Sequence, residues 1–118
     1  AYRAPEIVFP LHRRYVSLLV RELLKNAVKF TEQGSVTVEC GLTGPGTLTL
    51  SVTDTGCGVE PGLAERVFDR FYKVDPFAQG LGLGLSLCRL IAEKLGGTIG
   101  LDTTYTGGAR FVVTLRDT

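Results

Sequence analysis

The apolar residues Val16, Leu19, Leu23, Ala27 and Phe30 recur at steps of three and four along residues 12–30. That spacing places them on one side of a helix and predicts an amphipathic α-helix there. Thr31-Glu32-Gln33-Gly34 reads as its end, with Gly34 suited to a left-handed terminal turn. The period then changes to two. Residues 35–40 and 47–53 alternate apolar and polar positions around Gly44-Pro45-Gly46, which predicts an antiparallel hairpin. The partly polar outer face of this hairpin implies that helices cover only one side of the sheet. Upstream, residues 6–9 read as a short edge strand stopped by Pro10.

Residues 54–58 read as a loop and 63–71 as a short helix. Residues 73–82 contain Pro76 and small residues without a period, which predicts a mobile segment. A second long helix is expected over 84–95, with Leu87, Leu90, Ile91 and Leu95 on one side and Gly96-Gly97 as its stop. Strands at 98–101 and 109–115 flank a turn at Gly107-Gly108. Together these elements make an α/β fold. It is a two-layer sandwich whose mixed, mostly antiparallel sheet of four or five strands carries helices on one face.

The 118 residues suit a single domain, read here as 1–118. A net charge of +1 gives no global pull toward nucleic acid or membrane, so any anion site is local and neither is expected as a partner. No stretch reaches the ~18 apolar residues that would span a bilayer. Ala1-Tyr2-Arg3-Ala4-Pro5 lacks the apolar core of a signal peptide and starts without Met, as expected of a piece of a longer protein. Three cysteines, Cys40, Cys57 and Cys88, make an odd number without a C-x-x-C pair. That speaks for a reducing, cytoplasmic setting rather than disulfides or zinc.

Four segments carry candidate chemistry. In Arg21-Glu22-Leu23-Leu24-Lys25-Asn26-Ala27-Val28-Lys29-Phe30-Thr31, Glu22 and Asn26 are four apart and share a helical face. Asn is a poor helix residue unless its amide has work to do, and its carbonyl oxygen suits Mg²⁺. Lys25 or Lys29 can meet a phosphate; the plain alternative is a solvated polar face. Asp54-Thr55-Gly56-Cys57-Gly58-Val59 follows a strand directly. A buried Asp54 there can accept a hydrogen bond from an exocyclic amine such as adenine's, while the glycines admit a flat base. An ordinary Asp-Thr-Gly turn is the alternative. Phe68-Asp69-Arg70-Phe71-Tyr72-Lys73 sets two phenylalanines around charges, and simple packing accounts for both. Gly80-Leu81-Gly82-Leu83-Gly84-Leu85-Ser86-Leu87 runs into a helix, where exposed N–H groups and the dipole favour phosphate. It is neither a dinucleotide fingerprint, with Leu87 at the third glycine position, nor a P-loop, which needs a Gly-Lys pair.

In order and spacing these segments resemble the asparagine box, first glycine box, phenylalanine box and second glycine box of histidine-kinase catalytic domains. Thr106-Gly107-Gly108-Ala109-Arg110-Phe111 is similar to the family's closing hairpin. The resemblance runs over about residues 12–115. It implies a Bergerat-type sandwich like that of DNA gyrase, the heat-shock chaperone ATPases and the mismatch-repair ATPases. It also implies ATP and Mg²⁺ as ligands. Asn26 would ligate Mg²⁺, and Asp54 would hold the adenine amine with Gly56, Gly58 and Val59 beside the base. Lys29 would approach the phosphates, helped by Tyr72 or Lys73. Residues 71–82 would form a lid, hinged by Gly80, Gly82 and Gly84 with Leu81 and Leu83 between them.

Two positions depart from the family pattern. Glu22 stands where many members have Asn, which opens a catalytic role for its carboxylate. Leu81 stands where Thr or Ser is frequent, so no hydroxyl contact to phosphate is assigned there. In this family the phosphoryl group goes to a histidine on a separate dimerisation domain, which then serves a response regulator. His12, at the start of the first helix without an adjacent acidic residue, reads as a surface or capping residue. The chain is therefore expected to bind nucleotide without phosphorylating itself. The alternatives are an ATPase using Glu22 as base and a degenerate nucleotide-binding module.

Overall fold

A computed structural model describes residues 13–44, 46–59, 61–69 and 84–116. The expected strand at 6–9, His12 and the whole of the expected lid at 71–82 lie outside these residues. Helix α1 spans Arg13–Phe30, strand β1 Val36–Gly44 and strand β2 Thr47–Asp54. Helix α2 spans Gly84–Lys94, strand β3 Thr98–Leu101 and strand β4 Arg110–Arg116. The four strands run in the order β1-β2-β4-β3, and each neighbouring pair is antiparallel. Every described strand pair is antiparallel, in line with the mostly antiparallel sheet expected. The last strand inserts between its hairpin partner β3 and the earlier hairpin, so β2 and β4 form the centre.

Both helices lie on one face of this sheet, giving a two-layer α/β sandwich. Leu19, Leu23 and Ala27 of α1 meet Leu50 and Val52 of β2 and Phe111, Val113 and Leu115 of β4. From α2, Cys88, Ile91 and Ala92 close the same core. The four-residue steps of α1 and the two-residue steps of the strands are what bring these side chains to one seam. No described helix is long and apolar enough to cross a membrane.

The hairpin departs from expectation on β1. Val38 and Leu42 point toward the helical side yet remain 44% and 56% exposed, because α1 lies over β2 and covers little of the edge strand. Over the described part of the helix expected at 63–71 the chain instead forms single 3-10 turns, Pro61–Leu63 and Arg66–Phe68, after which Asp69 turns extended. Val67 and Phe68 are nevertheless buried, and the Phe68 ring meets Phe111 edge-on at 5.9 Å. Packing on β4 holds these side chains without a regular helix.

The ends of the helices differ. Gly34 has a positive φ of 137°, but it lies four residues beyond α1, in the approach to β1. Helix α2 stops where expected. Gly96, at φ 76°, donates to the Glu93 carbonyl at 3.0 Å, and Gly97 donates to Ala92 at 2.8 Å. This pair of bonds satisfies the last carbonyls and turns the chain into β3.

Truncating the fully buried Leu23 to Ala is expected to lower unfolding stability by about 2–5 kcal/mol in urea titration. Val28→Ala, at a position 65% exposed on the same helix, should shift it by no more than about 0.5 kcal/mol.

Candidate functional site

Where the ends of β2 and β4 approach the two helices, a small cavity opens. Its polar lining groups are Asn26 from α1 and Asp54 from β2. Phe30, Val59, Val67, Leu85 and Phe111 supply apolar walls. Asn26 directly precedes Ala27 of the core stripe. Its half-buried amide is carried to the cavity by the same helical turn that seats Leu23.

Asp54 is 2% exposed, so its carboxylate needs hydrogen-bond donors in place of water. Its Oδ1 accepts the Gly56 N–H at 2.9 Å and the Ala109 N–H at 3.1 Å. Its own N–H donates to the Ala109 carbonyl at 2.8 Å. The bond to Gly56 is an Asx turn, the local device by which aspartate ends a strand. With Oδ1 taken, Oδ2 remains as the acceptor for a donor entering the cavity.

The loop after Asp54 is pressed onto the end of α1. A Cβ on Gly56 would collide with the Phe30 carbonyl, so only glycine lets this backbone lie so close. Gly58 has φ 75° and packs against the Gly108 carbonyl. The first glycine segment, α1 and the turn before β4 therefore meet at one point.

Glu22 does not line this cavity. Its carboxylate, 16% exposed, is 3.5 Å from Lys25 Nζ, and its Oε2 faces Gly84 at the first turn of α2. A carboxylate there suits the positive end of that helix. Burial first, and the Glu22 charge second, push the neighbouring Cys88 thiol up to about 12. Lys29 also lies off the cavity lining. It is exposed, and its Nζ stands 5.7 Å from the centroid of the Phe30 ring. Tyr72, Lys73, Gly80, Leu81, Gly82 and Leu83 lie outside the described residues. Sequence reasoning missed the Ala109 N–H and the walls from Phe30 and Val67. Backbone donors leave no trace in residue type, and the Gly107-Gly108 pair before β4 was the only local signal.

Residues 12–118 match the family model described as histidine kinase-, DNA gyrase B- and HSP90-like ATPase, and the chain belongs to that family. The similar curated proteins include ones named as sensor proteins or as a sensor histidine kinase. Sensor protein IrlS of Burkholderia pseudomallei is 45% identical over 86 residues, covering 69% of this chain and 18% of that protein. Sensor protein SrrB of Staphylococcus aureus is 35% identical over 102 residues, covering 82% and 17%. The chain thus spans less than a fifth of either relative's length. Among solved structures, the mycobacterial sensor histidine kinase MprB superposes with a TM-score of 0.80 at 29% identity, covering 89% of this chain and 72% of that one. Full-length ShkA in complex with AMPPNP gives 0.77 at 33%, covering 86% and 21%.

The three thiols are expected to separate by burial. Alkylation of the native chain near neutral pH, followed by intact mass, should modify the exposed Cys40 and Cys57 only. Cys88 should react once denaturant is added.

Proposed function

We propose that this chain is the ATP-binding catalytic domain of a bacterial sensor histidine kinase. On this reading it supplies the γ-phosphoryl group of ATP to a histidine on the kinase's separate dimerisation domain. A response regulator then receives it in two-component signalling. The observation that carries the reading is Asp54, buried beside an apolar slot with Oδ1 saturated by two backbone N–H groups and Oδ2 left for a ligand's donor. Such a carboxylate suits adenine, whose exocyclic amine donates, and opposes guanine, which presents a carbonyl at the same place. The complex of the related ShkA with AMPPNP supports the same choice of ligand.

Gly56, Gly58 and Val59 would then border the base, with Phe30 and Leu85 on the apolar walls. Asn26 fits Mg²⁺, since its amide offers a hard oxygen at the cavity and phosphates and water complete such a shell. Bound there, the ion would neutralise phosphate charge. Among the described residues no group of three His, Cys, Asp or Glu side chains offers another metal site. Lys29, Tyr72, Lys73 and the Gly80–Gly84 run, with Leu81 and Leu83, are assigned to the phosphate side on sequence grounds. The chain's own part in transfer is to hold the nucleotide in place and in orientation, while the acceptor domain completes the reaction. The setting is cytoplasmic, where ATP is available and thiols stay reduced.

One observation favours a second reading, hydrolysis with Glu22 as base. Its Oε2 lies against Gly84, where the glycine run enters α2. Steady ATP hydrolysis by the 118-residue chain, abolished in Glu22→Gln, would establish that reading. Hydrolysis at background level in both proteins would remove it.

Calorimetric titration tests the main proposal. Asp54→Ala should weaken ATP binding about 10- to 100-fold with or without Mg²⁺, as for loss of a hydrogen bond to a charged group. Asn26→Ala should weaken chiefly the Mg²⁺-dependent part. Parent-like binding by both variants would reject the site.

A further inference from the structure

The loop between β3 and β4 carries a polar cluster on the face of the sheet away from the helices. Asp102 opens the loop. Its Oδ1 accepts the Thr104 N–H at 3.0 Å and the Thr104 hydroxyl at 2.6 Å, and its Oδ2 lies 3.5 Å from an Arg110 nitrogen. The Thr104 bonds, ahead of the Arg110 charge, hold the Asp102 carboxyl below the usual carboxylate range. Arg110 Nε donates to the Thr53 hydroxyl at 3.1 Å, and the guanidinium stacks 4.3 Å from the centroid of the Tyr105 ring. The Tyr105 hydroxyl donates to the Asp54 backbone carbonyl at 3.4 Å. Its ring lies across Gly107, where a Cβ would come within 2.9 Å of the phenol oxygen.

These contacts converge on one residue. Tyr105 holds the main chain of Asp54, and Arg110 holds the side chain of the residue before it. Arg110 also directly follows Ala109, whose N–H is one of the two donors to Asp54 Oδ1. We propose that Tyr105 and Arg110 are positioning residues for the Asp54 carboxylate, acting on it through the main chain from the opposite face of the sheet. This rests on the reading of Asp54 as the base-recognising group. The cluster fixes how far Ala109 stands from Asp54, and hence which way Oδ2 faces in the cavity. Residues outside the ligand's reach thereby set its affinity.

The test uses the 118-residue chain with Tyr105→Phe, which removes only a hydroxyl, and Arg110→Lys, which keeps the charge but loses the planar stack and the Nε donor. ATP affinity is measured by calorimetry, and the Gly56 and Ala109 amides are followed by ¹⁵N NMR. Each variant should bind ATP about two- to tenfold more weakly, as for the indirect effect of one lost hydrogen bond. Both amide resonances should move, with the melting temperature within about 4 °C of the parent. Unchanged affinity with unmoved amides overturns the proposal, and so does a lowered melting temperature with affinity intact. If the parent itself fails to bind ATP, the proposed function falls. The Gly56 amide alone then decides whether the cluster positions Asp54: moved, the positioning role stands; unmoved, it falls.

Discussion

A carboxylate buried at the end of a central strand must be given hydrogen-bond donors, and the region around Asp54 is arranged to meet that demand. Its two donors come from different directions. Gly56 belongs to the loop that follows β2, and Ala109 to the turn that leads into β4. Satisfying one oxygen therefore ties the end of one hairpin to the start of the last strand. It also brings the Gly56 main chain against the Phe30 carbonyl, so the last turn of α1 is drawn to the same point. An unpaired carboxylate at this depth would cost several kcal/mol. Loop, strand and helix end are thus locally interdependent.

The helical layer has a second polar point. Glu22 stands in the seam between α1 and α2, close to Gly84 and to the buried Cys88 thiol. It is shielded enough to influence that thiol and near enough to Lys25 to be partly balanced. Asn26, one turn further along α1, reaches the cavity instead. Two polar residues four apart on one helix thus serve different neighbours.

Much of this arrangement was legible in the sequence. The α1 stripe, the two strands around Gly44-Pro45-Gly46 and the Gly96-Gly97 stop follow from local periodicity and turn chemistry. Asn26 and Asp54 were legible as odd residues, an amide beside an apolar stripe and an acid at a strand end, and the structure brings both to one cavity. Strand order was not legible. The insertion of β4 between β2 and β3 depends on contacts far apart in the chain. The exposure of Val38 and Leu42 was hidden for the same reason, since alternation reports a face and not whether anything covers it. The turns holding Val67 and Phe68 misled because burial and helical spacing look alike over a few residues.

Asn26 lies between Leu23 and Ala27 on α1, and this has a consequence for how such a chain can diverge. Each residue added to a helix rotates everything beyond it by about 100°. An insertion within α1 could not shift the core stripe without swinging the amide away from the cavity as well. Length variation is thereby disfavoured between Leu19 and Ala27, and novelty there must arise by exchange of side chains at constant register. The loops that merely connect the elements are free of that restriction, so differences in length among descendants of this fold should accumulate in them.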